Sequence, residues 1–329
     1  MYLLFANKHG RPAMPCAPCP MHGCVPSQAN RAGGRPGGRA PKVMAWIGLL
    51  MAALAPLAAH AIDVDTGDFV PAPEGTTAGL IYYQHAERNK LYAQGRQVAG
   101  DHRLVSDVGI ARLVHYTKVG GLIVGPQILV PFGQMEAGRD TRALGDTSGV
   151  GDIILAAPVW LINDTASRTW LGISPYLYLP TGRYDHDRPL NLGENRWKFN
   201  LQVGFVKGLA KNWFVELTGD VMFHGENDDY GAAKATLKQD RLYQGQAYLR
   251  YQFTPKANAF VSLSQTWGGE TRVDGVRQDD EARQRKASIG GGYFIGPKTQ
   301  LLLALGRDLK VENGFKENSR VNLRLMQVF

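Results

Sequence analysis

Three side chains that can exchange protons stand four residues apart in one stretch: Glu216, Asp220 and His224. Carboxylates and imidazoles are the usual general acids and bases of enzymes. From Trp213 to Phe223 apolar and polar residues alternate, and this period of two predicts an extended strand. On a strand, residues four apart are separated by about 13 Å, at roughly 3.3 Å per residue. These three groups therefore cannot form a hydrogen-bonded catalytic relay by themselves.

The sequence offers no motif that would complete an active site. It contains neither the Gly-x-Ser-x-Gly turn of serine hydrolases nor the His-Glu-x-x-His of zinc proteases. Cys16, Cys19 and Cys24 have a spacing that can begin a zinc site, but a closed site needs four ligands. We predict that the protein is not an enzyme and uses no cofactor and no metal. A barrel enzyme of the lipase, acyltransferase or protease class is the alternative.

The stretch around Glu216 is one of several that place apolar and polar residues on opposite faces. If the apolar faces meet lipid, an arginine or lysine there would cost roughly 2–4 kcal/mol, so the charged faces belong inside a barrel. The residues predicted to line this lumen are Tyr176, Tyr178, Lys198, Asn200, Gln202, Glu216, Asp220, His224, Gln244, Gln246, Arg250 and Arg324.

Twelve such stretches lie between Gly75 and Phe329, and long and short connections alternate between them. An even strand count with this alternation is typical of outer-membrane barrels. The predicted fold is all-β: a transmembrane antiparallel up-and-down β-barrel of about twelve strands with both termini in the periplasm. We expect it in the outer membrane of a Gram-negative bacterium. Its expected partners are membrane lipid, lipopolysaccharide, the barrel-assembly machinery and a small-molecule permeant.

Tryptophans separate this prediction from a secreted all-β binding module, whose strands would also alternate. Trp170 and Trp213 follow short connections, whereas Trp197 and Trp267 adjoin long ones. Aromatic residues at both strand ends are what two interfacial girdles require.

The last stretch, residues 320–329, alternates in the same way and ends in an aromatic residue. A barrel must pair its last strand with its first, because an open edge cannot exist in lipid. We predict that this strand pairs with the first strand around Thr76–Tyr83, and that Phe329 is an assembly signal.

Residues 1–61 have the features of an export leader. They contain six basic and no acidic residues, an apolar run from Val43 to Leu57, and an Ala-x-Ala site. We predict cleavage after Ala61, with Ala59 as the alternative, then a periplasmic segment (62–74) and the barrel (75–329). Because the leader carries most of the excess positive charge, the mature chain is nearly neutral, and we predict no nucleic-acid partner.

Short motifs add a resemblance to a known family. Gly125–Gly133 and Ser174–Gly182 are strands closed by Pro-x-Gly, the second copy continues to Asn191–Trp197, and Gly151–Leu155 stands between them. These residues resemble the phenol meta-pathway degradation-like family of outer-membrane proteins. The resemblance implies a barrel, often encoded with aromatic-degradation pathways and taken to admit hydrophobic small molecules. The family has no agreed catalytic residues to carry over.

The predicted function is a porin-like channel for passive uptake of small, hydrophobic or aromatic molecules. Twelve strands fall between the eight whose interior side chains fill the barrel and the sixteen or more that leave an aqueous pore. Tyr176, Tyr178 and Phe214 could give a narrow path with aromatic walls. A purely structural barrel is the second alternative, and whether residues 62–74 plug the lumen stays open at this point.

Overall fold

The structure, a computed structural model, describes residues 63–329. The predicted leader and its cleavage site at Ala61 lie outside these residues. Twelve long strands form the barrel: β1 (Thr77–Ala93), β2 (His102–His115), β3 (Gln127–Arg139), β4 (Ile154–Ala156 continued by Val159–Asp164), β5 (Thr169–Tyr178), β6 (Lys198–Ala210), β7 (Trp213–His224), β8 (Leu242–Thr254), β9 (Ala257–Gly268), β10 (Ala282–Phe294), β11 (Thr299–Val311) and β12 (Gly314–Val328).

Each strand pairs antiparallel with its neighbour in the chain, and β12 pairs with β1 to close the barrel. The closing register runs from Ala78 opposite Val328 to Tyr92 opposite Gly314. The predicted twelve-stranded barrel is confirmed, and so is the pairing of the last strand with the first. The periplasmic location of the termini and the assembly role of Phe329 stay predictions.

The two faces of each strand differ as the alternation predicts. On β6, Phe199 and Leu201 are 40% and 37% exposed, whereas Asn200 and Gln202 between them are fully buried. Apolar side chains cover the outside, and long polar side chains fill the inside. Among residues 63–329, no helix is long and apolar enough to cross a membrane.

Several strands are longer than their apolar alternation. β1 continues to Ala93 although alternation ends near Gln84, and β12 begins at Gly314. β11 and β12 are joined by only two residues. The prediction that the last connection is long, like the others at that end, is therefore wrong. Beyond the hydrocarbon layer a strand can carry polar residues on both faces without loss of stability, so the alternation of apolar and polar residues no longer shows where the strand ends.

β3 begins at Gln127, later than the pattern predicts. The preceding residues form a separate hairpin of Thr117–Val119 with Leu122–Val124. Gly120 and Gly121 turn it with φ of +57° and +84°, a region that glycine enters at little cost.

The connections at the end of the barrel opposite the termini are mostly long, and we call this end the long-loop end. The β3–β4 connection contains a 3₁₀ turn (Arg142–Leu144) and a strand (Asp146–Val150) that extends the pairing of β3, and Arg96–Gln97 folds back on β1. The β7–β8 and β9–β10 connections form a four-stranded sheet from Asn227–Tyr230, Ala235–Gln239, Thr271–Val273 and Val276–Arg277.

A pair of adjacent substitutions on β9 tests the two faces. Leu263 is 60% exposed on the outside, whereas Ser264 faces the lumen. We expect Leu263→Arg to destabilise the barrel in lipid by roughly 2–4 kcal/mol, and Ser264→Arg to cost much less because the lumen side chains are polar. Urea unfolding in lipid vesicles measures both changes, and equal losses would contradict the assigned faces.

Candidate functional site

The twelve polar or aromatic residues predicted to line the lumen all lie on the inward face of their strands. Eleven of them are buried, and His224 is half-buried. Arg112 of β2 also points inward, where it donates to Gln127 and to the Tyr82 hydroxyl. Whether these residues line the path of a permeant stays a prediction.

Residues 63–70, which we call the inner segment, run inside the barrel. Val64 and Thr66 are nearly fully buried there. The Val64 amide donates to Gln246 at 3.2 Å, and Gln244 donates to the Asp63 carboxylate at 2.7 Å. Residues 63–70 of the predicted segment 62–74 therefore lie in the lumen, a point the sequence left open, whereas Pro73 and Glu74 are exposed.

Glu216 holds the middle of the inner segment. Its carboxylate accepts hydrogen bonds from the Thr66 hydroxyl and the Gly67 amide, each at 2.7 Å. Arg250 donates to the same carboxylate from β8 at 2.6 Å. A carboxylate engaged by three donors is a positioned anchor for the segment rather than a free general base.

An aromatic anchor fixes the inner segment on the neighbouring strands, β5 and β6. Phe69 packs over two glycines that pair across β5 and β6, Gly172 and Gly204. A Cβ at Gly204 would lie 2.1 Å from the Phe69 ring, so only glycine leaves room for the ring. The Phe69 carbonyl also accepts a hydrogen bond from the indole of Trp160 at 2.9 Å.

Trp170 belongs to this cluster, and its predicted place in an interfacial girdle is wrong. It is only 6% exposed and packs inside with Val64, Phe69 and Val206. The other three tryptophans of the prediction are at least 40% exposed on the outside. A strand-end position alone does not reveal which face a tryptophan occupies.

The β5–β6 connection (179–197), which we call the mouth loop, folds into the long-loop end of the barrel. Its Leu190 is 1% exposed and lies in an apolar cluster with Leu91, Leu104, Met135, Leu144 and Phe315, from strands across the barrel and the β3–β4 connection. The loop therefore crosses the lumen instead of extending away from it.

Asp152 ties the mouth loop to the wall. Its carboxylate accepts hydrogen bonds from the amides of Gly182 and Glu194, at 3.0 and 3.1 Å. Gly182 crosses Gly151 and Gly193 so closely that a Cβ at Gly182 would lie 2.6–2.8 Å from their backbone atoms. The Gly-Asp, Pro-x-Gly and Leu-Gly-Glu motifs, far apart in sequence, thus meet at one close backbone crossing.

A second group of charges holds the far end of the mouth loop. The Glu194 carboxylate accepts hydrogen bonds from Arg196 and Lys198, and the Lys198 ammonium lies 4.6 Å from the centre of the Tyr178 ring. Burial alone would raise the pKa of Glu194, but Lys198 and Arg196 outweigh it and hold that pKa well below its usual range. The carboxylate therefore stays ionised at pH values below about 4.3, the pKa at which a free glutamate takes up its proton.

Between the inner segment and the mouth loop lies a chamber of about 290 Å³. This volume is near the lower limit of small-molecule sites. Most of its apolar lining comes from one side: Val108, Ile110, Pro131, Met135, Ile154, Tyr178 and Leu192. Asp152, Glu194 and Lys198 line the chamber beside Tyr178, and Arg88, Arg320 and Arg324 line the other side with Asp63 and Asp65.

The residues that suggested acid–base chemistry do not come together. Asp220 receives a long hydrogen bond from Gln202 at 3.4 Å, and neither His224 ring nitrogen has a partner among residues 63–329. In this described part, no three His, Cys, Asp or Glu side chains are placed to hold a metal ion. Tyr176 donates to Gln202 at 3.2 Å, so Gln202 connects the Tyr176 hydroxyl with Asp220 in this part of the wall.

The fold and its interior define a class: an outer-membrane β-barrel with an occluded lumen and an internal chamber. The chain belongs to the family described as "Putative MetA-pathway of phenol degradation", whose sequence model matches residues 88–325. The resemblance seen in the motifs is thereby confirmed. None of the curated proteins compared with the chain matches it.

A solved structure agrees with the barrel. An outer membrane channel from Pseudomonas putida F1 is 45% identical, covers 81% of this chain and all of its own, and superposes with a TM-score of 0.79. The KdgM porin (10% identity, 76% of this chain and 99% of its own, TM-score 0.42) and the β domain of the Bordetella autotransporter BrkA (11%, 78% and 100%, TM-score 0.48) are far more distant. Neither of these two bears on function.

We expect Asp152→Ala to loosen the mouth loop, because it removes two charge-assisted hydrogen bonds worth roughly 1.5–3 kcal/mol each. Arg183 lies beside this backbone crossing, so the rate of trypsin cleavage after Arg183 in the folded protein measures how far the mouth loop is loosened. Asp187→Ala is the control, since Asp187 is 68% exposed in the same loop. Equal cleavage of both variants would refute the anchoring role of Asp152.

We expect Gly204→Ala to displace Phe69 and free the inner segment, because the new methyl group overlaps the ring. Cleavage before Asp63, Asp65 and Asp68 by an aspartate-specific protease should accelerate by at least about tenfold, as for other local openings. Gly219→Ala on β7 is the matched control, since its Cβ would meet nothing closer than 4.0 Å. An unchanged rate in Gly204→Ala would show that Phe69 does not anchor the segment.

Proposed function

We propose that this protein is an outer-membrane channel for the passive uptake of small, apolar or aromatic molecules. The observation that carries the proposal is the chamber: a cavity inside a closed barrel, with apolar side chains along one wall. A ligand without charge gains about 25 cal/mol for each Å² of apolar surface buried against such a wall. The 45% identical Pseudomonas structure, itself described as a channel, supports the same function.

The inner segment and the mouth loop bound the chamber on two sides, so passage requires one of them to move. The inner segment is held by separate hydrogen bonds, ion pairs and one aromatic anchor, with no covalent link inside the lumen. We infer that its displacement opens the path while the barrel itself stays closed by the pairing of β1 with β12.

A catalytic role has less support. Glu216 is already engaged by three donors, and Asp220 and His224 make no contact with each other. A general base needs a proton within hydrogen-bond reach and a group that orients it. We therefore propose transport without chemistry, in a membrane environment that includes lipopolysaccharide, after insertion by the barrel-assembly machinery.

Ion currents across planar bilayers test the proposal. We expect wild-type protein to conduct in small steps, and a variant lacking residues 63–70 to conduct at least about twofold more, because the lumen is then wider. Gly219→Ala should conduct like wild type. Equal currents in the deletion variant would show that the inner segment does not limit passage.

Occupancy by an aromatic solute tests the permeant class. Benzamide is neutral and fits the apolar wall, so we expect it to reduce the current reversibly, whereas xylose, a polar solute of similar size, should not. An unrelated open porin under the same conditions controls for effects on the bilayer. No effect of benzamide on either wild type or the deletion variant would contradict an aromatic permeant.

A further inference from the structure

Five cationic side chains form an arc on the inner wall across β10, β12, β1 and β2. We call them the basic row: Arg88, Arg112, Lys286, Arg320 and Arg324. Their side chains are 5–12% exposed. Cations this deeply buried are stable only when carboxylates or other anions face them.

The wall itself supplies too few anions for this row. Glu317 pairs with Arg88, Arg320 and Lys286, and Asp308 beside it accepts a hydrogen bond from the Glu317 amide. No wall carboxylate among residues 77–329 lies within ion-pair distance of Arg112 or Arg324.

The missing anions come from the inner segment. Asp63 pairs with Arg320 and with Lys286, the latter at 3.2 Å. Asp65 lies 3.1 Å from Arg324. Asp68 bridges Arg324 and Arg112, at 3.0 Å each.

Displacing the inner segment therefore leaves five cations facing two wall carboxylates. That is costly for buried groups, so an incoming anion favours the displacement and a neutral solute does not. Arginine suits this role because its planar fork binds a carboxylate through two parallel hydrogen bonds.

The chamber places an apolar surface within the same cavity as this row. Val108, Ile110, Met135 and Ile154 line it together with Arg88, Arg320 and Arg324. A ligand that fits both sides has a flat apolar body and one negative group at its edge.

We propose that the basic row is a binding site for the carboxylate of small aromatic acids, and that Asp63, Asp65 and Asp68 occupy it as an internal competitor. This inference rests on the proposed channel function and narrows its permeant class. The aromatic ring packs on the apolar wall while the carboxylate replaces an aspartate of the inner segment on Arg320 or Arg324.

Calorimetric titration of the purified full-length protein in detergent tests the site with three probes. Benzoate carries ring and charge, benzamide has the ring without the charge, and acetate has the charge without the ring. In D63N/D65N/D68N the arginines lose their internal competitor, so we expect benzoate to bind about tenfold more tightly than to wild type. Benzamide and acetate should each bind more weakly than benzoate.

Adding R320Q/R324Q to the triple variant should remove at least about nine-tenths of the benzoate affinity, since the charge-assisted hydrogen bonds are lost. Adding R285Q instead is the control, because Arg285 is exposed on the outer face of β10. Heat-modifiable migration in gels verifies that every variant is a folded barrel.

Each outcome of the titrations either supports or overturns the proposed site. Preferential binding of benzoate that depends on Arg320 and Arg324 supports the site. Equal affinities for benzoate and acetate would reduce it to a general anion site and overturn the aromatic-acid assignment. Equal affinities for benzoate and benzamide would remove the role of the basic row while leaving the proposed channel intact, since benzamide block of the current is measured separately.

Discussion

The closing pair of β12 with β1 is the contact on which the rest of the structure depends. Lipid offers no hydrogen-bond partners, so each backbone N–H and C=O in the membrane must be paired within the protein. Twelve strands paired in chain order leave only the first and last edges open, and the register from Ala78–Val328 to Tyr92–Gly314 removes both. Closure then forces one face of every strand outward into lipid and the other into the lumen.

The lumen of a twelve-stranded barrel is too wide for wall side chains alone to fill it. Two pieces of the same chain occupy the space. The inner segment enters beside β1, and the mouth loop folds in from the opposite end. Both are held where small residues permit close approach, at Gly204 under Phe69 and at the Gly151–Gly182–Gly193 crossing. The chamber is the volume that remains between them.

Charge inside the barrel follows from the same geometry. Inward positions avoid lipid, so they can carry arginine and lysine without the cost of facing hydrocarbon. Burial then demands counter-ions, which Glu317 supplies from the wall and Asp63, Asp65 and Asp68 supply from the inner segment. The segment is thus held by polar contacts that an anion from outside can imitate, in contrast to a plug packed by apolar contacts alone.

By itself, the sequence determined the barrel, its strand count, the closing pair and the two faces of the clearly alternating strands, because a period of two reports directly which side meets lipid. The Gly-Asp and Pro-x-Gly motifs also identified the family. Only the tertiary structure decided what these motifs do, because the amides that Asp152 holds are about 30 and 42 residues further along the chain. The same holds for the inward turn of Trp170, the site of Phe69 and the pairing of Asp63, Asp65 and Asp68 with the basic row. Such contacts join residues that closure alone brings together, and no local pattern records them.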